Sequence, residues 1–195
     1  MASEASRRTN DSDVNDVPLR SIIETPLTDS LVNGIFQQQN NDGSFPATST
    51  LGDFFQVDFE QIKRHLNTKG LDLSSILNVF MSFVLFPRKI CLVSDEILRL
   101  ISTASILFYF LYHSQKTNFP VGIDAIKQFV SNARAELESF SSKDDPIMQT
   151  YIDKGELAVK YVIDTREKYA DVCKQINLSE PAWETYIQHL MGLGT

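Results

Sequence analysis

Apolar positions are sparse and without a sustained rhythm up to residue 50, and from there they recur with helical spacing to the end of the chain. Phe54, Phe55, Phe59, Ile62 and Leu66 recur among Asp58, Glu60, Lys63 and Arg64, which predicts an amphipathic helix from Asp53 to a glycine stop at Gly70. Such an aromatic face suits either a membrane interface or, more often, neighbouring helices.

The next stretch is apolar on nearly every side. LDLSSILNVFMSFVLF, from Leu71, leaves only Asp72, Ser75, Asn78 and Ser82 as a thin polar line. Pro87-Arg88-Lys89 interrupts it, and Ser94-Asp95-Glu96 reads as the cap and acidic first turn of a second apolar helix ending near His113. That helix has its own thin line, Arg99, Ser102, Ser105 and Tyr109, and the expected arrangement is an antiparallel hairpin over 71–113 with the two lines facing each other. Each arm has about sixteen residues, or roughly 24 Å, a little short of a hydrocarbon core of about 30 Å. A straight crossing is therefore marginal, and the hairpin reads as inserted in one leaflet, or as two short spans with local thinning and Arg88, Lys89 and Arg99 reaching toward headgroups, through residues such as Phe80, Phe83, Phe86, Leu107, Phe108 and Phe110. The alternative is a buried central hairpin of a soluble bundle, wrapped by the flanking helices.

Beyond Pro120 the pattern is that of an ordinary amphipathic protein. Ile123, Ile126, Val130, Ala133, Leu137 and Phe140 share one helix face, and Asp144-Asp145-Pro146 restarts the chain with a carboxylate cap and a helix-starting proline. Met148, Ile152, Gly155, Val159, Val162, Tyr169, Cys173 and Ile176 follow in steps of four and three, broken only by Arg166. This is a core-facing or coiled-coil-like seam. Glu156 with Lys160, and Asp164 with Lys168, stand four apart on its outer side, each pair contributing about 0.2–0.5 kcal/mol. Ser179-Glu180-Pro181 opens a last short helix with Trp183, Tyr186, Ile187 and Leu190. No alternating strand pattern and no repeat occurs, so the fold class is all-α: a disordered tail over 1–50, then an all-α domain over 51–195 with an amphipathic helix, the apolar hairpin and a C-terminal antiparallel bundle.

Composition changes this picture mainly by exclusion. The chain of 195 residues carries a net charge of −7, without the basic footprint of a nucleic-acid binder. Two cysteines and three scattered histidines supply no metal-ligand spacing, and no phosphate loop, nucleophile elbow or redox cysteine pair is present. No catalytic residue, cofactor or metal is expected, and the chain reads as a non-enzyme.

The tail holds one apolar stretch, Val17 to Phe36, which reads equally as a docking element for a partner or a strap on the protein's own body. Thr25-Pro26 within it has the pattern of proline-directed phosphorylation, and Cys91 beside the hairpin turn is where an acyl chain would help insertion. Arg99 is expected to pair with Asp95 or Glu96. No apolar leader follows Arg7 and Arg8, so the chain is expected to start in the cytosol.

These features together lead to an expected adaptor or scaffold on the cytosolic face of an intracellular membrane, such as the endoplasmic reticulum or a lipid droplet, with a cytoplasmic bundle as the alternative. Protein partners or a second copy would bind the seam through Met148, Ile152, Val159, Val162, Tyr169 and Ile176, and Val162→Asp would abolish that binding. Lipid is the other expected contact.

Overall fold

A computed structural model describes residues 26–55, 57–68, 88–115, 122–139, 146–175 and 182–190, and among these the chain is all-α, with no strand. The first helix lies inside the stretch read as tail. Thr28 adopts extended backbone and its hydroxyl accepts from the Leu31 amide at 3.2 Å, which starts α1 (Asp29–Gln37). Ile35 and Phe36 on its inner side are buried. The described part of this apolar stretch, 26–36, lies on the protein's own body, as the strap reading has it, and 17–25 lie outside the described residues.

The single helix expected from Asp53 to Gly70 is two helices. In α2 (Ser49–Phe55) a Cβ on Gly52 would stand 2.3 Å from the Val57 carbonyl oxygen, so the returning chain closes directly on the glycine. Asp58 then caps α3 (Phe59–Leu66), accepting from the amides of Glu60 and Gln61 at 2.9 and 3.1 Å. The carboxylate that reads as a polar spacer is a helix start. Phe55, Phe59, Ile62 and Leu66 all turn inward.

Helix α4 (Arg88–Gln115) runs for 28 residues without the restart expected at Ser94-Asp95-Glu96. A chain with no proline or glycine between Arg88 and Gln115 has nothing to stop it, and Ser94 lies within the helix rather than capping it. The other arm of the expected hairpin, 71–86, lies outside the described residues. Helix α5 (Ile123–Ser139) follows Gly122, which takes φ +142° at its entrance. Helix α6 (Pro146–Lys168) begins on the proline that the sequence marks, and after a turn at Tyr169 the short α7 (Ala170–Gln175) continues its direction. Helix α8 (Ala182–Leu190) closes the described chain with Ile187 and Leu190 buried.

Helix α4 is the axis of the fold. It packs on α3, α5, α6 and α8, and α6 packs in turn on α5. Lys168 near the end of α6 donates to Glu96 near the start of α4 at 2.9 Å, while Arg134 in the second half of α5 reaches Asp153 and Glu156 in the first half of α6. Both helix pairs are therefore antiparallel. Glu156 and Lys168 thus tie α6 to its neighbours rather than pairing along its own outer face. Val93–Ser114 is long and apolar enough to cross a membrane, yet 72% of its most apolar stretch is buried within the protein itself.

Candidate functional site

The most elaborate polar and aromatic junction of the described chain is the seat that α4 and α6 form for α1 and the loop after it. Its chemistry begins with the thin polar line of α4. Arg99, Ser102 and Thr103 do not face a second apolar helix among the described residues; they face the loop over 42–46. The Thr103 hydroxyl donates to the Arg99 carbonyl at 2.6 Å and accepts from the buried Phe45 amide at 2.9 Å. The Ser102 hydroxyl donates to the Pro46 carbonyl at 3.4 Å. A loop entering a core brings unpaired backbone groups with it, and these hydroxyls supply the partners.

The loop itself is tightly built. Asp42 accepts from the Ser44 hydroxyl and amide at 2.6 and 3.0 Å, and the Asn40 amide donates to the Ser44 hydroxyl at 2.9 Å. Gly43 takes φ +88°, and a Cβ there would lie 2.3 Å from the Leu157 carbonyl oxygen on α6. Only glycine fits both the turn and the approach. Phe45 is fully buried beyond it.

Arg99 pairs with Asp42 at 3.5 Å, not with Asp95 or Glu96 as the spacing along α4 suggests. Burial alone would raise the Asp42 carboxyl, but the Ser44 hydrogen bonds and the Arg99 charge outweigh it and hold the group below the ordinary carboxylate range. Glu96 is held low in the same way: burial opposes, and the hydrogen bonds and charge of Lys168, with Tyr169 and Arg99, prevail. Tyr161 on α6 stands in the field of Arg99, Asp42 and Glu96, and burial pushes its phenol up.

The aromatic half of the seat receives α1. The Phe36 ring stacks between Phe110 of α4 at 5.4 Å and Tyr151 of α6 at 5.1 Å. Lys154 donates to the Phe36 carbonyl at 2.7 Å, a cation placed on the exposed end of the α1 backbone, and the Gln39 amide donates to the Lys154 and Gly43 carbonyls at 2.8 and 3.0 Å. Leu31 and Val32 are half-buried on the same face of α1, while Asn33 and Gln37 point to solvent.

The residues singled out in the sequence scatter around this seat. Phe110 belongs to it; Leu107 and Phe108 are buried in the core beside it. Phe80, Phe83, Phe86, Thr25 and Ile176 lie outside the described residues, and the side chain of Cys91 is not among those described. The seam was expected to offer itself to a partner. Instead Ile152, Val159 and Val162 are buried and α6 spends this face on α4 and α5, so these residues are core and not an open binding surface. Thr165 is buried where Arg166 breaks the rhythm, so the seam passes one residue earlier there. Met148 is exposed at 48% and Tyr169 is half-buried beside Lys168. Cys173 is buried and its thiol is pushed up to about 11 by that burial, which makes it unreactive.

Sequence reading missed Asp42, Phe45, Thr103, Tyr151 and Lys154. The available signal was the combination of an apolar stretch ending at Phe36 with an Asn-Asp-Gly turn just after it, which together mark a segment that orders and then folds back. Among the described residues no group of three or more His, Cys, Asp or Glu is placed to hold a metal ion. The fold is that of an all-α bundle built around one apolar helix. No family model, curated protein or solved structure matches this chain.

Proposed function

We propose that this protein is a non-catalytic helical interaction module, an adaptor or regulator that works by protein–protein association, with α4 as its core helix. The observation that carries the reading is the burial of α4: Ile97, Ala104, Phe108, Tyr109 and Leu111 are fully enclosed by the chain's own helices and loop. A helix with its apolar surface already covered has little left to gain from lipid. Association then belongs to the exposed apolar side chains of α6, Ile147, Met148 and Leu157, which stand 62%, 48% and 45% exposed. Among the described residues these are the side chains of α6 whose apolar surface a partner could still cover.

A second reading keeps the module on the cytosolic face of an intracellular membrane, and the apolar run over 71–86 favours it. In that case the anchor is this run alone and not a hairpin of two equal arms. Fractionation of the full chain and of a variant lacking 71–86, through high salt, alkaline carbonate and detergent, tests the two. The module reading expects the full chain in the soluble fraction, purifying without detergent. Release by detergent alone, with the deletion variant soluble, replaces it with the anchored reading.

A further inference from the structure

The seat between α4 and α6 has the form of a peptide-binding groove whose occupant is part of the same chain. We propose that α1 is a displaceable latch, and that the groove beneath it binds an amphipathic helix of a partner protein with the α1 pattern: apolar residues at positions 1, 2, 5 and 6, the last an aromatic at the helix end. The inference rests on the interaction-module reading and names the partner's chemistry.

Three observations carry it. The helix in the groove is short, 9 residues from Asp29 to Gln37, and buries only Ile35 and Phe36 completely, with Leu31 and Val32 half-covered. A helix of this length has little stability of its own and is held by what it docks on. Next, the groove recognises features that any helix of this pattern presents. The Phe110 and Tyr151 rings grip one aromatic side chain, and Lys154 grips a carbonyl at the helix end, which is backbone and not sequence. Finally, the attachment is divided at residue 38. The loop beyond it is pinned by Thr103, Arg99 and the close approach of Gly43 to α6, whereas α1 ahead of it is held by the ring contacts of Phe36 with Phe45, Phe110 and Tyr151, by Phe54 against Gly34 and by the Lys154 bond. Release of α1 therefore exposes the groove and leaves the Phe45 insertion in place.

Hydrogen exchange on the intact chain and peptide binding to a latch variant together test this. In the full-length protein the amides of 31–37 should be at least about 100-fold less protected than those of 97–109, since α1 opens by itself while α4 opens only with the whole fold. A labelled peptide of residues 26–38 should bind the full-length Phe36→Asp variant at least about tenfold tighter than the intact protein, whose own α1 competes. Equal protection of the two helices overturns the latch, and so does a folded Phe36→Asp protein that fails to bind the peptide or binds it no better than the intact chain. Should Phe36→Asp not fold, the exchange measurement on the intact chain decides alone. Either failure leaves the interaction-module reading standing, because that reading depends on the burial of α4 and not on the release of α1.

Discussion

At the scale of single residues, the loop between α1 and α2 shows how few positions decide where the chain goes. Gly43 is the sharpest case, because two independent demands meet there. Its φ of +88° is one that residues with a Cβ rarely adopt, and the Leu157 carbonyl oxygen occupies the place where that Cβ would be, at 2.3 Å. The α6 backbone cannot move away without disturbing the Gln39–Lys154 and Lys154–Phe36 bonds on either side. Gly43→Ala should therefore destabilise the fold by about 2 kcal/mol or more, read as a lowered urea midpoint with an unchanged slope. A midpoint equal to that of the parent would show that this loop does not hold its place against α6 in solution. Asp42 and Thr103 illustrate a different lesson. One is an exposed acid in a polar tail and the other a hydroxyl in an apolar run, and neither signals its role until the loop and α4 are brought together. Local spacing pointed Arg99 to its own helix, one turn back; tertiary contact gave it Asp42 instead.

The elements were legible where a physical signal is local. Pro146 starts α6, Pro181 precedes α8, and the inward positions Ile123, Ile126 and Val130 of α5 follow from a 3.6-residue repeat alone. Boundaries set by a competing cap were not. Asp58 divides one expected helix into two, and Ser94 fails to begin a helix that nothing upstream has ended. The largest change of meaning concerns the seam on α6. An apolar stripe in steps of four and three has the same appearance whether it meets a partner or its own neighbours, and here α4 and α5 cover it. Val162 is fully buried on that stripe. Val162→Asp consequently tests stability and not recognition: an unpaired carboxylate placed there should cost about 3 kcal/mol or more and abolish cooperative thermal unfolding. A folded Val162→Asp protein with a parental transition would mean that α6 separates from α4 and α5 in solution and that the seam is open after all. Substitutions that probe association without this confusion belong at Ile147 and Leu157, whose side chains face outward.

On the scale of the whole molecule, the charge network joins segments far apart in the chain. Asp42 meets Arg99 across the loop and α4, and Glu96 meets Lys168 across α4 and α6. Both carboxyls are held below their ordinary range in the folded state, so each binds its proton less readily there than in the unfolded chain. Their contribution is thus complete above the ordinary carboxylate pKa, about 4, and is lost as pH falls through the depressed folded values. Below the sequence pI of about 4.9 the net charge turns positive and grows as the carboxylates protonate, so general repulsion weakens the fold over the same range. Asp42→Asn separates the two effects, because it removes one depressed carboxyl and barely alters the total charge. The parent should lose stability relative to Asp42→Asn as pH drops below about 4, the difference between them shrinking until both proteins are equally stable once Asp42 is protonated. Urea titrations of the two proteins between neutral pH and about pH 2.5 read this directly. Added salt should reduce the difference at neutral pH only in part, since the Asp42 carboxylate is held by the Ser44 hydrogen bonds as well as by the half-exposed Arg99 pair, and only the latter is screened. A difference independent of pH would place the value of Asp42 in the shape of its turn and not in its charge. The loop would then be held on α4 by its backbone bonds to Thr103 and Ser102 alone.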